Sequence, residues 1–142
     1  FTVTLIMTLL YNRMLKIKVL QPNKIRLDSE ISNAYIPGID GDFEVYEGHT
    51  PFITKLRPGT LSIWKNDKAE HYAIHDGFIT VENDKIVVVS EIIEHADEID
   101  EKRAKQAKKR AEERLNSKEK NINYRRAEFA LQRSIARIQT KK

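Results

Sequence analysis

Cysteine is absent from the 142 residues, and several other residue types are scarce or confined to one region. Without cysteine the chain has no disulfide framework and no thiolate nucleophile or metal ligand. Five glycines and four prolines all lie between Pro22 and Gly77, so residues 78–142 contain neither helix-breaking residue. No uninterrupted apolar run reaches the roughly 18 residues that a transmembrane helix needs.

The net charge of +4 is unevenly distributed. Residues 1–96 carry 10 Lys and Arg against 13 Asp and Glu, a net charge of −3, whereas residues 97–142 carry 15 against 8, a net charge of +7. We therefore predict a boundary near Ala96. Residues 1–13 lack the basic start and the cleavage site of a signal peptide, and we interpret them as an upstream extension or a cloning remnant outside the fold.

Residues 14–96 have the pattern of an antiparallel β-sandwich. The segment LKIKVL (residues 15–20) alternates apolar and polar side chains, which is typical of a half-buried strand. Four further strand-like runs follow at short intervals: LSIW, HYAIH, GFITVE and KIVVVS. KNDK (residues 65–68) and ENDK (residues 82–85) each place Asn-Asp between two runs, which predicts two tight hairpins.

Motifs for enzymatic chemistry are missing from this region. The glycine-rich segment at residues 36–61 lacks the spacing of a phosphate-binding loop that hydrolyses nucleotides. His49 has no accompanying serine or cysteine nucleophile motif, so we expect it to form hydrogen bonds within a turn. His71 and His75 share a strand face, but no acidic or cysteine pattern completes a metal site beside them. Nothing in this region resembles an active site.

Residues 97–142 predict an antiparallel helical hairpin, with helices at about 100–115 and 121–139. Asp97 or Asp100 is suited to cap the first helix, and Asn121 or Asn123 the second. The predicted inner faces consist of Ala104, Ala107, Ala111 and Leu115 on the first helix and Ala127, Leu131, Ile135 and Ile138 on the second. Burying an alanine methyl stabilises by only about 0.8 kcal/mol, so we expect a marginal hairpin that can open.

Arginines from the two helices are predicted to meet in this hairpin. With a turn near residues 118–120, Arg103 lies opposite the segment that contains Arg133 and Arg137. These two form a repulsive i,i+4 pair with no acidic residue three or four positions away. Arg110 lies on the same side as Arg103, although Glu113 is placed to pair with it. A bound polyanion would relieve the repulsion; the alternative is that the arginines only complement helix dipoles.

The order of a β-sandwich and a charged helical hairpin resembles the epsilon subunit of bacterial F-type ATP synthase. The resemblance covers residues 14–142. GDFEVYEGHTPFITKLRPGTL (residues 41–61) is similar to the glycine-histidine-proline segment of that family, and IDEKRA (residues 99–104) is similar to its ATP-associated Ile/Leu-Asp-x-x-Arg-Ala pattern.

The resemblance implies a non-catalytic rotor subunit at the cytoplasmic face of the bacterial membrane, held there only through the complex. Its implied partners are the gamma subunit and the c-subunit ring, with a facing loop at Gly41, Asp42 and His49, and the alpha and beta subunits when the hairpin extends and inhibits ATP hydrolysis. It implies ATP as a regulatory ligand of the folded hairpin, without a required metal. The implied ATP-binding residues are Glu94, Ile99, Asp100, Arg103, Ala104, Arg110, Arg133 and Arg137.

Two alternatives remain open at this point. A basic hairpin can track nucleic-acid phosphates, although its basic residues are interleaved with eight acidic ones and only Tyr124 and Phe129 are placed to stack on bases. The hairpin can also be a structural adaptor that never opens and binds no nucleotide.

Overall fold

The computed structural model describes residues 14–142, so the predicted extension at residues 1–13 lies outside the described residues. These described residues form ten strands, a short 3-10 helix at Ala96–Glu98 and two α-helices. The strands are β1 (Leu15–Gln21), β2 (Lys24–Ile31), β3 (Asn33–Ile36), β4 (Phe43–Val45), β5 (Phe52–Lys55), β6 (Gly59–Lys65), β7 (Lys68–Ile74), β8 (Phe78–Glu82), β9 (Lys85–Val89) and β10 (Ile93–His95).

The predicted sandwich is confirmed as two five-stranded sheets. The first sheet has the order β2-β1-β9-β8-β5 and the second has the order β10-β7-β6-β3-β4. All neighbouring strands are antiparallel except β1 and β9, which pair in parallel. Alternate residues of the predicted strand at residues 15–20 point into the core, where Leu15, Ile17 and Val19 are almost completely buried. Their partners across the core include Ile63 and Ile74 of the second sheet.

Both predicted Asn-Asp hairpins are present. Lys65 pairs with Lys68 at the end of the β6–β7 ladder, and Glu82 pairs with Lys85 at the end of β8–β9. Asn66, Asn83 and Asp84 adopt positive φ values of 55°, 51° and 60°. Asparagine and aspartate tolerate this left-handed backbone better than most residues, which explains why they occupy these turns.

Strand β2, which the alternation pattern did not predict, lies at the edge of the first sheet and is interrupted by a bulge. Val19 of β1 pairs with Leu27, but its neighbour Leu20 pairs with Ile25, so Arg26 is an extra residue in the ladder. A bulge bends its strand and redirects the side chain of the extra residue. Arg26 consequently turns away from the regular alternation of the strand.

The two helices begin one and three residues later than predicted. Helix α1 spans Glu101–Leu115, and the Asp100 side chain caps it by accepting a 3.1 Å hydrogen bond from the backbone N–H of Arg103. Helix α2 spans Tyr124–Lys141, and Asn123 caps it in the same way through the N–H of Arg126. Among residues 14–142, neither helix is long and apolar enough to cross a membrane.

Helix α2 packs between α1 and the second sheet, where it contacts β6 and β7. This position corrects the predicted inner face, because Leu131, Ile135 and Ile138 are only half-buried. The buried residues of α2 are Ala127, Ser134, Ala136 and Thr140. Small side chains let the helix approach two neighbours closely, and the hydroxyl groups of Thr60 and Thr140 meet at 2.7 Å across the contact with the sheet. On α1 the buried residues are alanines, as predicted.

Candidate functional site

A cleft of about 400 Å³ lies where β10, the short 3-10 helix, α1 and α2 meet. We call it the arginine cleft. Its lining consists of Glu94, Glu98, Asp100, Arg103, Ala104, Ala107, Arg110 and Arg137. Because α1 and α2 contribute residues together with the last strand of the sandwich, the cleft exists only while the hairpin is folded against the sandwich.

Glu94 of β10 joins the sandwich to α2. Its Oε1 accepts a 2.7 Å hydrogen bond from Nε of Arg137 and lies 2.9 Å from Nε2 of His75, whose side chain is 3% exposed. The hydrogen bond from His75 is the main cause that lowers the pKa of Glu94 to about 2, and Arg137 adds to it, against the opposing effect of burial. The glutamate is therefore a charged carboxylate at neutral pH.

This pairing corrects part of the predicted repulsion among the arginines. Arg137 has no acidic neighbour on its own helix, but Glu94 supplies one from 43 residues away. Within residues 14–142, by contrast, the guanidinium groups of Arg103 and Arg110 form no hydrogen bond or ion pair, and the pair expected between Arg110 and Glu113 is absent. Two unpaired cations therefore line the cleft beside a paired one, an arrangement suited to an anionic ligand.

Six of the eight predicted ATP-binding residues line this cleft: Glu94, Asp100, Arg103, Ala104, Arg110 and Arg137. Among the described residues, the lining does not include Ile99 or Arg133. Ile99 is 5% exposed and packs into the interior at the start of α1. Arg133 precedes Arg137 by four residues, which displaces it by about 6 Å along the helix and about 40° around it.

Sequence reasoning missed two residues at the cleft. His75 is a buried partner of Glu94, whereas its position on a strand face with His71 indicated no role at such a site. Glu98 was counted only as one of the acidic residues of the hairpin, and it lines the cleft. No local pattern identified either residue, because each acts through a partner distant in sequence. Within residues 14–142, no group of three or more histidine, aspartate or glutamate side chains is arranged to hold a metal ion.

The predicted partner-facing loop forms a second, smaller cleft. Gly41, Asp42 and His49 line about 330 Å³ together with Phe43 and Phe52. Arg57 holds the Asp42 carboxylate through two hydrogen bonds, from Nε at 2.9 Å and from Nη2 at 2.5 Å. Gly41 has a φ of 137°, a conformation that favours glycine. His49 forms a turn hydrogen bond, as predicted, through Nδ1 to the carbonyl oxygen of Thr50 at 2.6 Å.

Comparison with known proteins identifies the family. Residues 14–96 match the family described as ATP synthase, Delta/Epsilon chain, beta-sandwich domain, and residues 97–142 match the corresponding long alpha-helix domain. The ATP synthase epsilon chain of Desulforamulus reducens is 41% identical over 87% of this chain and 93% of the relative. That of Geotalea daltonii is 42% identical over 88% of this chain and 91% of the relative.

Two solved structures share the fold. A chain of the Euglena gracilis mitochondrial ATP synthase OSCP/F1/c-ring assembly superposes with a TM-score of 0.80 at 20% identity, covering 87% of this chain and 78% of that one. A chain of the Tetrahymena thermophila mitochondrial ATP synthase central stalk and c-ring has a TM-score of 0.55 at 12% identity, with coverages of 90% and 93%. With both domains matched along nearly the whole chain, this protein belongs to the ATP synthase epsilon-chain family, whose members are non-catalytic subunits of the complex's central stalk.

Proposed function

We propose that this chain is a regulatory rotor subunit whose helical hairpin is held closed by ATP. The closed form is the hairpin folded against the sandwich. The observation that carries the proposal is the arginine cleft, which gathers Arg103 and Arg110 from α1, Arg137 from α2 and Glu94 from β10. A ligand in this cleft contacts both helices and the sandwich at once, so it binds the closed form and not the extended one.

The chemistry of the cleft suits a nucleotide triphosphate. Arg103 and Arg110 are unpaired within the described residues, and guanidinium groups bind phosphate through paired, charge-assisted hydrogen bonds. Arg137 uses Nε to bind Glu94, which leaves its two Nη groups available for a phosphate oxygen. The triphosphate would then stabilise charges that otherwise repel one another across the hairpin.

Because the hairpin buries little apolar area, the binding energy of ATP is large enough to change the population of the closed form. The residues that α1 buries are Ala104 and Ala111, and each contributes little apolar area. A ligand that binds only the closed form stabilises it by about 2.7 kcal/mol at a concentration one hundred times its Kd. This energy is comparable to the contribution of one or two large buried side chains, so ATP is able to shift the balance between the closed and open forms.

In the open form, we propose that the hairpin inhibits ATP hydrolysis. The two helices contain 15 and 18 residues, which together reach about 50 Å when extended. Residues 97–142 have a net charge of +7 (15 basic against 8 acidic residues). This positive surface suits contact with acidic surfaces of the alpha and beta subunits when ATP is scarce.

We further propose that the sandwich contacts the gamma subunit and the c-subunit ring, at the cytoplasmic face of the bacterial membrane. The supporting surface is an apolar row on the outer face of the first sheet, in which Phe78 pairs with Val89 and Val89 with Leu20. Phe78 is 51% exposed and Val89 47% exposed. Half-exposed apolar side chains in one row are typical of a protein-binding surface.

The predicted loop adjoins this row. Lys55 pairs with Phe78 at the end of the row, and its carbonyl oxygen accepts a 3.0 Å hydrogen bond from the backbone N–H of Ile39. Ile39 belongs to the segment that leads to Gly41 and Asp42. The row and the loop therefore offer one continuous surface, with an apolar part suited to gamma and a polar part suited to the c-ring.

Isothermal titration of the full chain with ATP tests the nucleotide proposal. We expect saturable binding that Arg110→Ala weakens and that the exposed control Arg114→Ala leaves unchanged. Absence of binding would leave the structural adaptor as the better description.

For the gamma contact, Phe78→Ser should reduce capture of gamma by the full chain, whereas Tyr46→Ser, which removes an aromatic ring of similar exposure, should not. Equal capture by both variants would contradict the proposed row.

A further inference from the structure

The bulge in β2 aims Arg26 at the segment that links the sandwich to the hairpin. Nη2 of Arg26 forms an ion pair with Oε1 of Glu98, which lies 72 residues further along the chain in the 3-10 helix. The Arg26 side chain is only 11% exposed, although β2 is an edge strand. A regular strand would place this residue in the alternating ladder with β1, so the extra residue is what allows the contact.

The guanidinium of Arg26 depends on this one carboxylate. Its Nε is buried and, within residues 14–142, has no hydrogen-bond partner. Burying a charged group is unfavourable unless a countercharge compensates it, so Glu98 is the group that makes this position tolerable for arginine. The arrangement is reciprocal, because Arg26 also neutralises the charge of Glu98.

Glu98 is one of three carboxylates that line the arginine cleft. Glu94 is bonded to His75 and Arg137, and Asp100 caps α1. Glu98 is half-exposed, and Arg26 is its ion-pair partner. Without that partner, a free carboxylate would face an anionic ligand in the cleft and repel it.

We infer that Arg26 is a positioning residue of the arginine cleft, which holds Glu98 and cancels its negative charge so that a triphosphate can bind beside it. The inference rests on the proposed binding of ATP and adds a residue from the opposite sheet of the sandwich to the site. It concerns Arg26 acting through Glu98, not a direct contact of Arg26 with the nucleotide.

This role predicts effects of opposite sign for the two partners. Arg26→Gln leaves Glu98 charged and free, and should weaken ATP binding on the order of fivefold, as expected for a partly exposed charge pair. Glu98→Gln removes the repelling charge, and its affinity should equal or exceed that of the parent. If the pair only holds the linker in place, Arg26→Gln and Glu98→Gln should weaken ATP binding to the same extent, because each one breaks the contact.

The test is a double-mutant cycle by isothermal titration of the full chain with ATP, ADP and AMP. We expect Arg26→Gln to weaken binding, with a loss that grows with the number of phosphates, and Arg26→Lys to restore most of it. In the double variant, Glu98→Gln should abolish the loss caused by Arg26→Gln. Circular dichroism of each variant checks that the fold is retained. If Arg26→Gln is unstable, ATP affinities of Arg26→Lys and Glu98→Gln provide the test instead.

Four results would overturn the inference. Equal weakening by the two single substitutions would assign the pair to bracing the linker alone. An undiminished loss from Arg26→Gln in the Glu98→Gln background would mean that Arg26 acts independently of Glu98. If the parent binds ATP and Arg26→Gln leaves that affinity unchanged, Arg26 has no role in the site, and the proposed function stands. If the parent binds no ATP, both the role of Arg26 and the proposed function are wrong.

Discussion

Glu94 connects the sandwich to the hairpin through hydrogen bonds to both. One of its oxygens receives hydrogen bonds from a buried histidine of the sandwich and from an arginine of α2. The bond to Nε fixes the plane of the Arg137 guanidinium, and an arginine held in this way loses less freedom when it binds a phosphate. In the proposed site, Glu94 would support nucleotide binding by orienting Arg137, and it stabilises the docked hairpin by compensating the charge of Arg137.

The lowered pKa of Glu94 predicts an acid-sensitive contribution to stability. In the folded chain its pKa is about 2, compared with 4.5 ordinarily, so its stabilisation is fully present above about pH 5 and is lost as the pH falls towards 2. Because this carboxylate is partly exposed, solvent screens the charge pair and the pH-dependent part is on the order of 1–3 kcal/mol. We expect Glu94→Gln to lower the free energy of unfolding at pH 7 and the difference from the parent to narrow below pH 4.

Urea denaturation at several pH values measures this difference. Glu91→Gln, which changes an exposed carboxylate three residues away, provides the matched control and should follow the parent at each pH. A Glu94→Gln deficit that stays constant between pH 7 and pH 3 would show that the carboxylate's charge is not what stabilises the fold.

Of the four arginines that the family resemblance implies for ATP binding, Arg103, Arg110 and Arg137 line the cleft and Arg133 does not. Arg103→Ala removes an unpaired guanidinium from the cleft and should weaken ATP binding by about 1.5–3 kcal/mol, the usual value of a charge-assisted contact. The family resemblance implies a contact of the same kind for Arg133, but among the described residues the cleft lining does not include it, so we expect a much smaller effect of Arg133→Ala. Isothermal titration of both variants distinguishes these predictions, since equal losses would contradict the cleft geometry.

Charge counting along the sequence was sufficient to single out Arg103, Arg110 and Arg137, because helical spacing fixes which side chains share a face. It could not provide their countercharges. Glu94 lies 43 residues from Arg137, and Arg26 lies 72 residues from Glu98, so both pairs depend on the docking of the hairpin on the sandwich. Antiparallel pairing of residue numbers places Arg133 and Arg137 together opposite Arg103, but it does not resolve the rise of about 6 Å between them along the helix.

The residues that helix α2 buries reflect its two neighbours, α1 and the second sheet. An isolated two-helix hairpin would bury Leu131 and Ile135 against α1, whereas in this fold Ala136 and Ser134 are buried and the larger residues lie at the flanks. Close contact through small residues gives little hydrophobic stabilisation but keeps the helix near both the sheet and α1. An interface of this kind separates more easily than one with interlocking large side chains.

Enlarging one of these small residues should open the hairpin. Ala136 is 1% exposed, and Ala136→Leu adds volume to a closely packed contact, which costs about 1–3 kcal/mol. We expect the closed form to be less populated and ATP binding to weaken by the same free energy, because binding must then close the hairpin first. Glu128→Leu, which places leucine at an exposed position of α2, is the control.

Limited proteolysis and ATP titration of the two variants provide the measurement. Faster cleavage near residues 116–123 and weaker binding should occur together in Ala136→Leu. Unchanged ATP affinity despite a less stable hairpin would show that the cleft does not require α2 to be docked.

The strands were predictable where turn chemistry and alternation coincided. The Asn-Asp turns fixed the β6–β7 and β8–β9 hairpins because few residues accept positive φ. Strand β2 was missed because its exposed edge carries charged residues, as edge strands commonly do, and the bulge at Arg26 interrupts its alternation. The parallel pairing of β1 with β9 joins segments that are distant in sequence, and local patterns contain no information about it.

The molecule as a whole combines a sandwich that has its own hydrophobic core with a helical hairpin that packs against it. The main hydrophobic cluster lies entirely within β-sandwich residues, from Leu15 to Ile93. Contacts of the hairpin with the rest of the chain include polar ones, such as the Thr60–Thr140 hydroxyl pair and the 3.1 Å hydrogen bond from Lys141 to the carbonyl oxygen of Ala96. Removal of the hairpin should consequently leave the sandwich folded.

Deletion of residues 97–142 tests this division in the assembled enzyme. We expect the truncated chain to assemble and to support ATP synthesis, because the proposed gamma contact lies on the sandwich. We also expect a higher rate of ATP hydrolysis at low ATP, because the inhibitory extension is gone. A truncated chain that is folded but leaves hydrolysis unchanged under these conditions would contradict the proposed inhibition.

The distance between the sandwich and the tip of the hairpin, measured with and without ATP, decides whether the hairpin closes on the nucleotide. The chain has no cysteine, so Asp67→Cys and Lys120→Cys provide two unique and exposed labelling positions, and Asp67→Cys with Asn23→Cys provides a control pair within the sandwich. We predict one narrow distribution of distances in excess ATP, a shifted and broader distribution without it, and no change in the control pair. A hairpin distance that is the same with and without saturating ATP would contradict the account.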